Sequence, residues 1–209
     1  MPIKNRTKKE HKTQISSNSF LFGLFINYLK PSTYVTTIKQ INLEKLKEQG
    51  IKLIICDLDN TLVPHFTKFP TKLALDFAQA VKDNDMEFVL ISNNTRKRVS
   101  FFAEKLKVDY IANAKKPLPF AMNRTIRKFN VKPQEVVVIG DMIITDILGA
   151  NLLHTESILV QPLIDAERTW NVIIKWLEEY IFLRLTKQNI LIKEEETGRD
   201  LYSEEYEIL

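Results

Sequence analysis

From about residue 41 the chain alternates short unbroken apolar runs with longer stretches whose apolar residues recur at helical spacing. "IKLIICDLD" (51–59), "MEFVLISNN" (86–94) and "EVVVIGD" (135–141) are short and rich in branched apolar residues, which predicts buried strands. "DYIANA" (109–114) and "ESILVQP" (156–162) predict two shorter ones. Helices are predicted in 43–50, stopped by Gly50, in 69–85 after Pro70-Thr71, in 95–108, and in 116–130 behind prolines. "MIITDILGAN" (142–151) predicts a short helix ending at Gly149, and 167–185 a long amphipathic one. Trp170, Ile174 and Leu177 on that last helix would face the core. With Trp176, Tyr180 and Phe182 it would instead lie on lipid.

Strands alternating with helices predict an α/β fold, a Rossmann-like three-layer sandwich around a mostly parallel central sheet. The strands lack in–out alternation, so helices should cover both faces. The pattern divides the chain into an N-terminal basic and apolar segment (1–40), a domain (41–186) and an acidic tail (187–209). In open sheets of this kind ligands bind beyond the carboxyl ends of the strands. Three predicted strands end there in polar residues: Asp57-Leu58-Asp59, Ser92-Asn93-Asn94 and Gly140-Asp141.

Composition changes this picture little. With 44% hydrophobic and 27% charged residues, 209 residues suit one globular domain with tails. No apolar run reaches the roughly 18–20 residues a spanning helix needs. The single cysteine, Cys56, excludes an intramolecular disulfide or a multi-cysteine metal site, and is expected to be a small buried hydrophobe in a reducing cytosol. A net charge of +4 does not by itself call for nucleic acid, and none is expected as a partner. The charge is uneven. "MPIKNRTKKEHK" is basic and precedes the apolar "SFLFGLFINYL", which together would suit an anionic lipid surface. "EEETGRDLYSEEYEIL" is acidic. Both ends also read as solvated tails.

"DLDNT" (57–61), "SNN" (92–94), "KKP" (115–117) and "GDMIITD" (140–146) resemble, in order and spacing, the four motifs of the haloacid dehalogenase superfamily of phosphotransferases. The resemblance spans roughly residues 45–165. It implies Asp57 as nucleophile, forming an aspartyl-phosphate. Asp59 would protonate the leaving group and then activate water. Mg²⁺ would be held by Asp57, the main-chain carbonyl of Asp59, Asp141 and Asp146, although Asp146 also reads as a helix cap or water-orienting residue. Ser92, with the backbone of Asn93 and Asn94, would bind the transferred phosphoryl group. Lys116, directly before the proline, would neutralise charge, with Lys115 as the alternative. His65 would touch substrate or merely pack, while His154 and His11 read as solvent or turn residues. Arg96, Lys97 and Arg98 read as a solvated face or as the holders of a second anionic group.

Neither gap between motifs has room for a cap domain, so the active site should be open, which suits a bulky substrate. The 36 residues from "LKPSTYV" through "DLDNTLVP", with "GDMIITDILGANLLHTESILVQPL", are similar to capless subfamily IIIA enzymes, the phosphatidylglycerophosphatases of the YqeG type. Met142 and Ile144 depart from the residues usual in that group. The resemblance implies hydrolysis of phosphatidylglycerophosphate at the cytoplasmic face of a membrane. The alternatives are a capless phosphatase for nucleic-acid ends or phosphoproteins, and a non-catalytic membrane-associated protein on the same scaffold.

Overall fold

The computed structural model describes residues 25–164 and 172–192. Six strands form one sheet: β1 (Thr33–Val35), β2 (Leu53–Cys56), β3 (Glu87–Ile91), β4 (Asp109–Ile111), β5 (Val136–Gly140) and β6 (Glu156–Val160). Their order is β1-β6-β5-β2-β3-β4, and all five pairings are parallel. The helices are α1 (Leu43–Glu48), α2 (Lys72–Asp83), α3 (Arg96–Leu106), α4 (Phe120–Lys128), α5 (Leu148–Leu152) and α6 (Val172–Lys187).

Alternate residues of each strand enter different cores, which is the period-2 rule acting on a sheet buried on both sides. Ile54, Cys56, Phe88, Leu90, Val137 and Ile139 pack with Phe77 of α2 and Phe102 of α3. Leu53, Ile55, Val89, Ile91 and Val138 pack on the other face with Met122 of α4 and Ala150 of α5. Strand order therefore reverses beside β2, with β3 on one side and β5 on the other. The crevice of a doubly wound sheet lies at that point. Register aligns Cys56 with both Leu90 and Ile139, so the three polar strand ends emerge together.

The sheet begins earlier than the 41–186 domain of the sequence reading. Thr33–Val35 pairs in register with Ile158–Val160 as edge strand β1. Three residues inside "PSTYVTT" carry too little pattern to be recognised as a strand. At the other end Leu191 is buried with Ile181 and Leu185, so the first part of the segment assigned to the acidic tail belongs to the fold. The basic arm, His11, Trp170 and the tail beyond residue 192 lie outside the described residues.

Two helices differ from expectation. Gly149 does not end the helix after β5. Residues Ile143–Ile147 wind as a wide π-turn, which continues as α5 to Leu152. A Cβ at Gly149 would lie 3.2 Å from Met122 Cε, so that glycine serves close packing. The final helix is not a core helix along its whole length. It docks through Ile181 and Leu185, whereas Ile174 is half-buried and Leu177 is exposed. Ile173, Trp176, Tyr180 and Leu183 are exposed as well, whereas Phe182, expected on the lipid side, is half-buried and packs edge-on against Tyr34. No described helix is long and apolar enough to cross a membrane. The gaps that would carry a cap are fully described. The first holds a loop and α2 before β3, and the second holds α3 and β4.

Candidate active site

Asp57 follows β2, and its N–H donates to Ile139 O at 2.9 Å. It is 8% exposed. Lys116, equally buried, reaches it from the loop after β4. The Lys116 ammonium donates to Asp57 Oδ1 (2.5 Å), Asp146 Oδ1 (2.6 Å) and Ile91 O (3.1 Å). Its three N–H groups thus have three acceptors. Asn93 places this lysine through its backbone. Lys116 N donates to Asn93 Oδ1 at 2.7 Å, and Asn93 Nδ2 donates to Lys116 O at 3.2 Å. Lys115, with φ 56°, is exposed, so of the two lysines only Lys116 enters the site.

Ser92 is 2% exposed, and its Oγ accepts from Asn94 N at 3.0 Å. Its backbone stitches the edge together, with Ser92 N donating to Ile111 O and Ala114 N to Ser92 O. Asp141 Oδ1 accepts from Thr61 Oγ1 at 3.1 Å, which ties the β5 motif to the last residue of "DLDNT". Asn60, with φ 64°, takes the left-handed turn that brings Thr61 round, a conformation asparagine tolerates better than most residues. Asp146 uses both oxygens within the protein. Oδ1 accepts from Lys116, and Oδ2 accepts from Met142 N and Thr145 Oγ1, each at 3.1 Å. It can fold back this far because residue 140 is glycine. A Cβ there would stand 2.2 Å from Asp146 Cγ. The π-turn that carries Asp146 is anchored from outside by Glu178 of α6, which accepts from the N–H groups of Ile143 and Ile144.

Asp59 has different company. Asn94 Nδ2 donates to its Oδ2 at 2.9 Å, and Arg98 Nε donates to its Oδ1 at 2.8 Å. Arg98 also donates to Thr67 O and Pro64 O, and stacks over the Phe102 ring. It is thus neither a solvated residue nor free for a second anionic group, while Arg96 and Lys97 are exposed. His65 is exposed on the same loop, held by Asn60 Oδ1. His154 is an exposed turn residue with φ 56°. Cys56 is fully buried, and burial, helped by the Asp57 charge, pushes its thiol well above the ordinary value.

The electrostatics follow from burying two carboxylates, Asp57 and Asp146, around one ammonium. Burial pushes the Asp57 carboxyl up to about 6, Asp146 and Asp59 add to this, and Lys116 opposes it. For Lys116, burial disfavours the charged form, but Asp146 and then Asp57 outweigh it, so its pKa lies above the ordinary lysine value. Such a site has room electrostatically for another cation. Among the described residues no three acidic, His or Cys side chains are gathered as a ready metal cage. The donor set nonetheless fits Mg²⁺. The Asp57 and Asp141 carboxylates end neighbouring strands, the Asp59 carbonyl lies between them in sequence, and Mg²⁺ takes its other positions from water and substrate oxygens.

A family model described as HAD-hydrolase-like matches residues 113–162. The "Probable phosphatase YqeG" of Bacillus subtilis (strain 168) is 37% identical over 140 residues, 67% of this chain and 81% of that protein. The chain belongs to the YqeG-like phosphatases of the haloacid dehalogenase (HAD) superfamily. Solved structures also match at low identity. The 3-deoxy-D-manno-octulosonate 8-phosphate phosphatase of Moraxella catarrhalis, in complex with a magnesium ion, a phosphate ion and a KDO molecule, is 15% identical. That match has a TM-score of 0.43 and covers 71% of this chain and 98% of that one. The cobalt-bound deoxy-D-mannose-octulosonate 8-phosphate phosphatase (YrbI) of Haemophilus influenzae is 18% identical, with a TM-score of 0.39. The match covers 46% of this chain and 61% of that one. As a HAD phosphatase, this protein is a phosphoric monoester hydrolase.

Three residues of this HAD site escape sequence reasoning. Thr61, Asn93 (as the clamp on Lys116) and Arg98 act through contacts with residues 23 to 80 positions away. Thr61, inside "DLDNT", and Asn93, inside "SNN", stand in motifs that point to the site, whereas Arg98 stands in none.

Proposed function

We propose that this HAD enzyme is a Mg²⁺-dependent phosphatidylglycerophosphatase that works through an aspartyl-phosphate on Asp57. The observation that carries the chemistry is the buried Asp57–Lys116–Asp146 cluster at the open end of the sheet. Asp57 attacks the terminal phosphorus in line, forming the Asp57 O–P bond as the P–O bond to the lipid glycerol breaks. Asp59 delivers its proton to the departing alkoxide, giving phosphatidylglycerol. It then takes a proton from the water whose oxygen attacks the phosphoryl group, freeing Asp57 and phosphate. Lys116 balances the charge on Asp57 and on the transferred group, and Asp146 fixes its position. The Ser92 hydroxyl and the Asn93 backbone receive phosphoryl oxygens. Asp57, the Asp59 carbonyl and Asp141 would hold Mg²⁺, which supplies positive charge for an anionic nucleophile meeting an anionic substrate. Asp146, with both oxygens engaged, serves the lysine rather than the metal.

The lipid assignment draws support from the open site and from the exposed apolar side of α6, which carries Trp176 and Tyr180. Peripheral attachment to the inner face of the membrane belongs to the same proposal. One observation favours a second reading. An open groove of about 490 Å³ along β4 is lined by Arg96, Arg124 and Lys128, as a phosphorylated nucleic-acid end would require. With Mg²⁺, the enzyme should release phosphate from phosphatidylglycerophosphate in mixed micelles far faster than from a 5′-phosphorylated oligonucleotide or a small phosphomonoester. Equal rates on all three would end the lipid assignment, and a preference for the oligonucleotide would establish the second reading.

A further inference from the structure

The loops that leave the catalytic edge carry large apolar side chains pointing at solvent. Phe66 is 62% exposed and Phe69 47%, both on the loop after β2. Leu118 is 48% exposed and Phe120 71%, on the loop after β4 and the start of α4. The first loop runs into α2 on one face of the sheet, and the second into α4 on the other. The two apolar pairs therefore stand on either side of the crevice that ends in Asp57 and Lys116.

The segments that carry Phe66, Phe69 and Leu118 are held rather than loose. Arg98 grips the carbonyls of Pro64 and Thr67, the residues that bracket Phe66. The Phe69 ring packs edge-on against Phe101, with centroids 5.8 Å apart. Leu118 lies between Pro117 and Pro119, and its N–H closes a turn on Lys115 O. Little backbone entropy is left for these segments to lose on binding.

The charge carried by the segments that bear and flank them has one sign. Segments 64–70, 93–98 and 113–124 contain no aspartate or glutamate. Lys68, Arg96, Lys97 and Arg124 within them are all exposed. Aromatic and aliphatic prongs on segments whose only charges are cationic match an anionic bilayer, where apolar groups enter the acyl boundary and lysines and arginines meet headgroup phosphates. We infer that the catalytic edge itself is the membrane-docking face, with Phe66 and Phe120 inserted on opposite sides of the active-site mouth. This deepens the lipid reading and rests on it. The bilayer surface would then do what a cap does elsewhere, closing the site to bulk water once the mouth is seated.

The test uses the full chain and vesicles of phosphatidylglycerol and phosphatidylcholine that contain no substrate. Cys56 is 0% exposed, so a cysteine introduced at the surface can be labelled selectively. An environment-sensitive fluorophore on Phe66→Cys or Phe120→Cys should shift to the blue on phosphatidylglycerol vesicles and be quenched by brominated acyl chains. The same label on Asp85→Cys, in the turn entering β3 at the opposite edge, should do neither. The double variant Phe66→Ser/Phe120→Ser should partition onto these vesicles at least about tenfold more weakly, with its melting temperature unchanged. Labels at 66 and 120 that stay in water, or that respond no more than the label at 85, would overturn this face whatever the substrate. So would labels that respond to an oligonucleotide and not to vesicles. Because no hydrolysis is read, insertion at 66 and 120 would stand even if the micelle assay rejected phosphatidylglycerophosphate.

Discussion

Arg98 holds Asp59 with two nitrogens on one oxygen, Nε at 2.8 Å and Nη2 at 2.6 Å from Oδ1. The same guanidinium ties down the carbonyls of Pro64 and Thr67, so the proposed acid/base and the loop beside it share one anchor. Arg98 thus fixes where the Asp59 carboxylate stands relative to the site. Arg98→Ala should lower kcat at least about tenfold and stability by about 1–3 kcal/mol, because Asp59 and two carbonyls lose a donor. Arg98→Lys should recover little of either, since an ammonium cannot reproduce the fork. Steady-state kinetics and thermal melts read both effects.

Lys116 is the only cation within contact of Asp57 and Asp146 among the described ion pairs. Lys116→Ala leaves two buried carboxylates facing each other and should cost about 3–5 kcal/mol. Lys115→Ala, at an exposed position one residue away, should change stability by less than about 0.5 kcal/mol. Denaturant titration of the two variants separates them.

Thr61 and Gly140 set the two acidic residues that follow β5. Thr61→Val keeps the shape but removes the hydroxyl that donates to Asp141, and should weaken Mg²⁺ binding about tenfold or more. Gly140→Ala drives a methyl into Asp146 and through it disturbs Lys116. It should cut kcat far more than it raises KM. Magnesium titration followed by melting temperature, together with initial rates, checks both.

The raised Asp57 pKa makes metal-free stability depend on pH. Its folded value is about 6 against an ordinary 3.8, so this stabilising contribution is complete below about 3.8 and disappears as pH rises through 6. Melting in EDTA should therefore show Asp57→Asn gaining on the wild type between pH 5 and 7, by about 1–3 kcal/mol. Saturating Mg²⁺ should reverse the order at pH 7, because the wild type holds the ion more tightly. A difference between the two proteins that stays constant across this range in EDTA would contradict the burial argument.

The sheet was legible because its strands are buried on both faces. Runs such as "LIIC" and "VVVIG" need no partner to be recognised, and each ends in the polar residue that faces the crevice. Strand β1 was not legible, since its three residues are defined by pairing with β6 rather than by pattern. Asp57, Asp59, Ser92 and Asp141 arrive at one edge, as the predicted strand ends require, and Lys116 joins them there, as the motif resemblance implies. The distinct duties of the remaining residues depend on contacts that no local pattern encodes. Asp146 turns toward a lysine 30 residues away, and Arg98 leaves its helix surface for Asp59, 39 residues back. In α6, helical periodicity was visible, but which side would pack was decided by Ile181 and Leu185 meeting the π-turn.

The central claim is that Asp57 is phosphorylated by a lipid phosphomonoester. It is tested most directly by acid-quenching a single turnover of phosphatidylglycerophosphate labelled in its terminal phosphate and sequencing the labelled peptide. The label should appear on Asp57 as a hydroxylamine-sensitive acyl phosphate, and should be absent from Asp57→Asn. Turnover with no label on Asp57, or with the label on another residue, would contradict it.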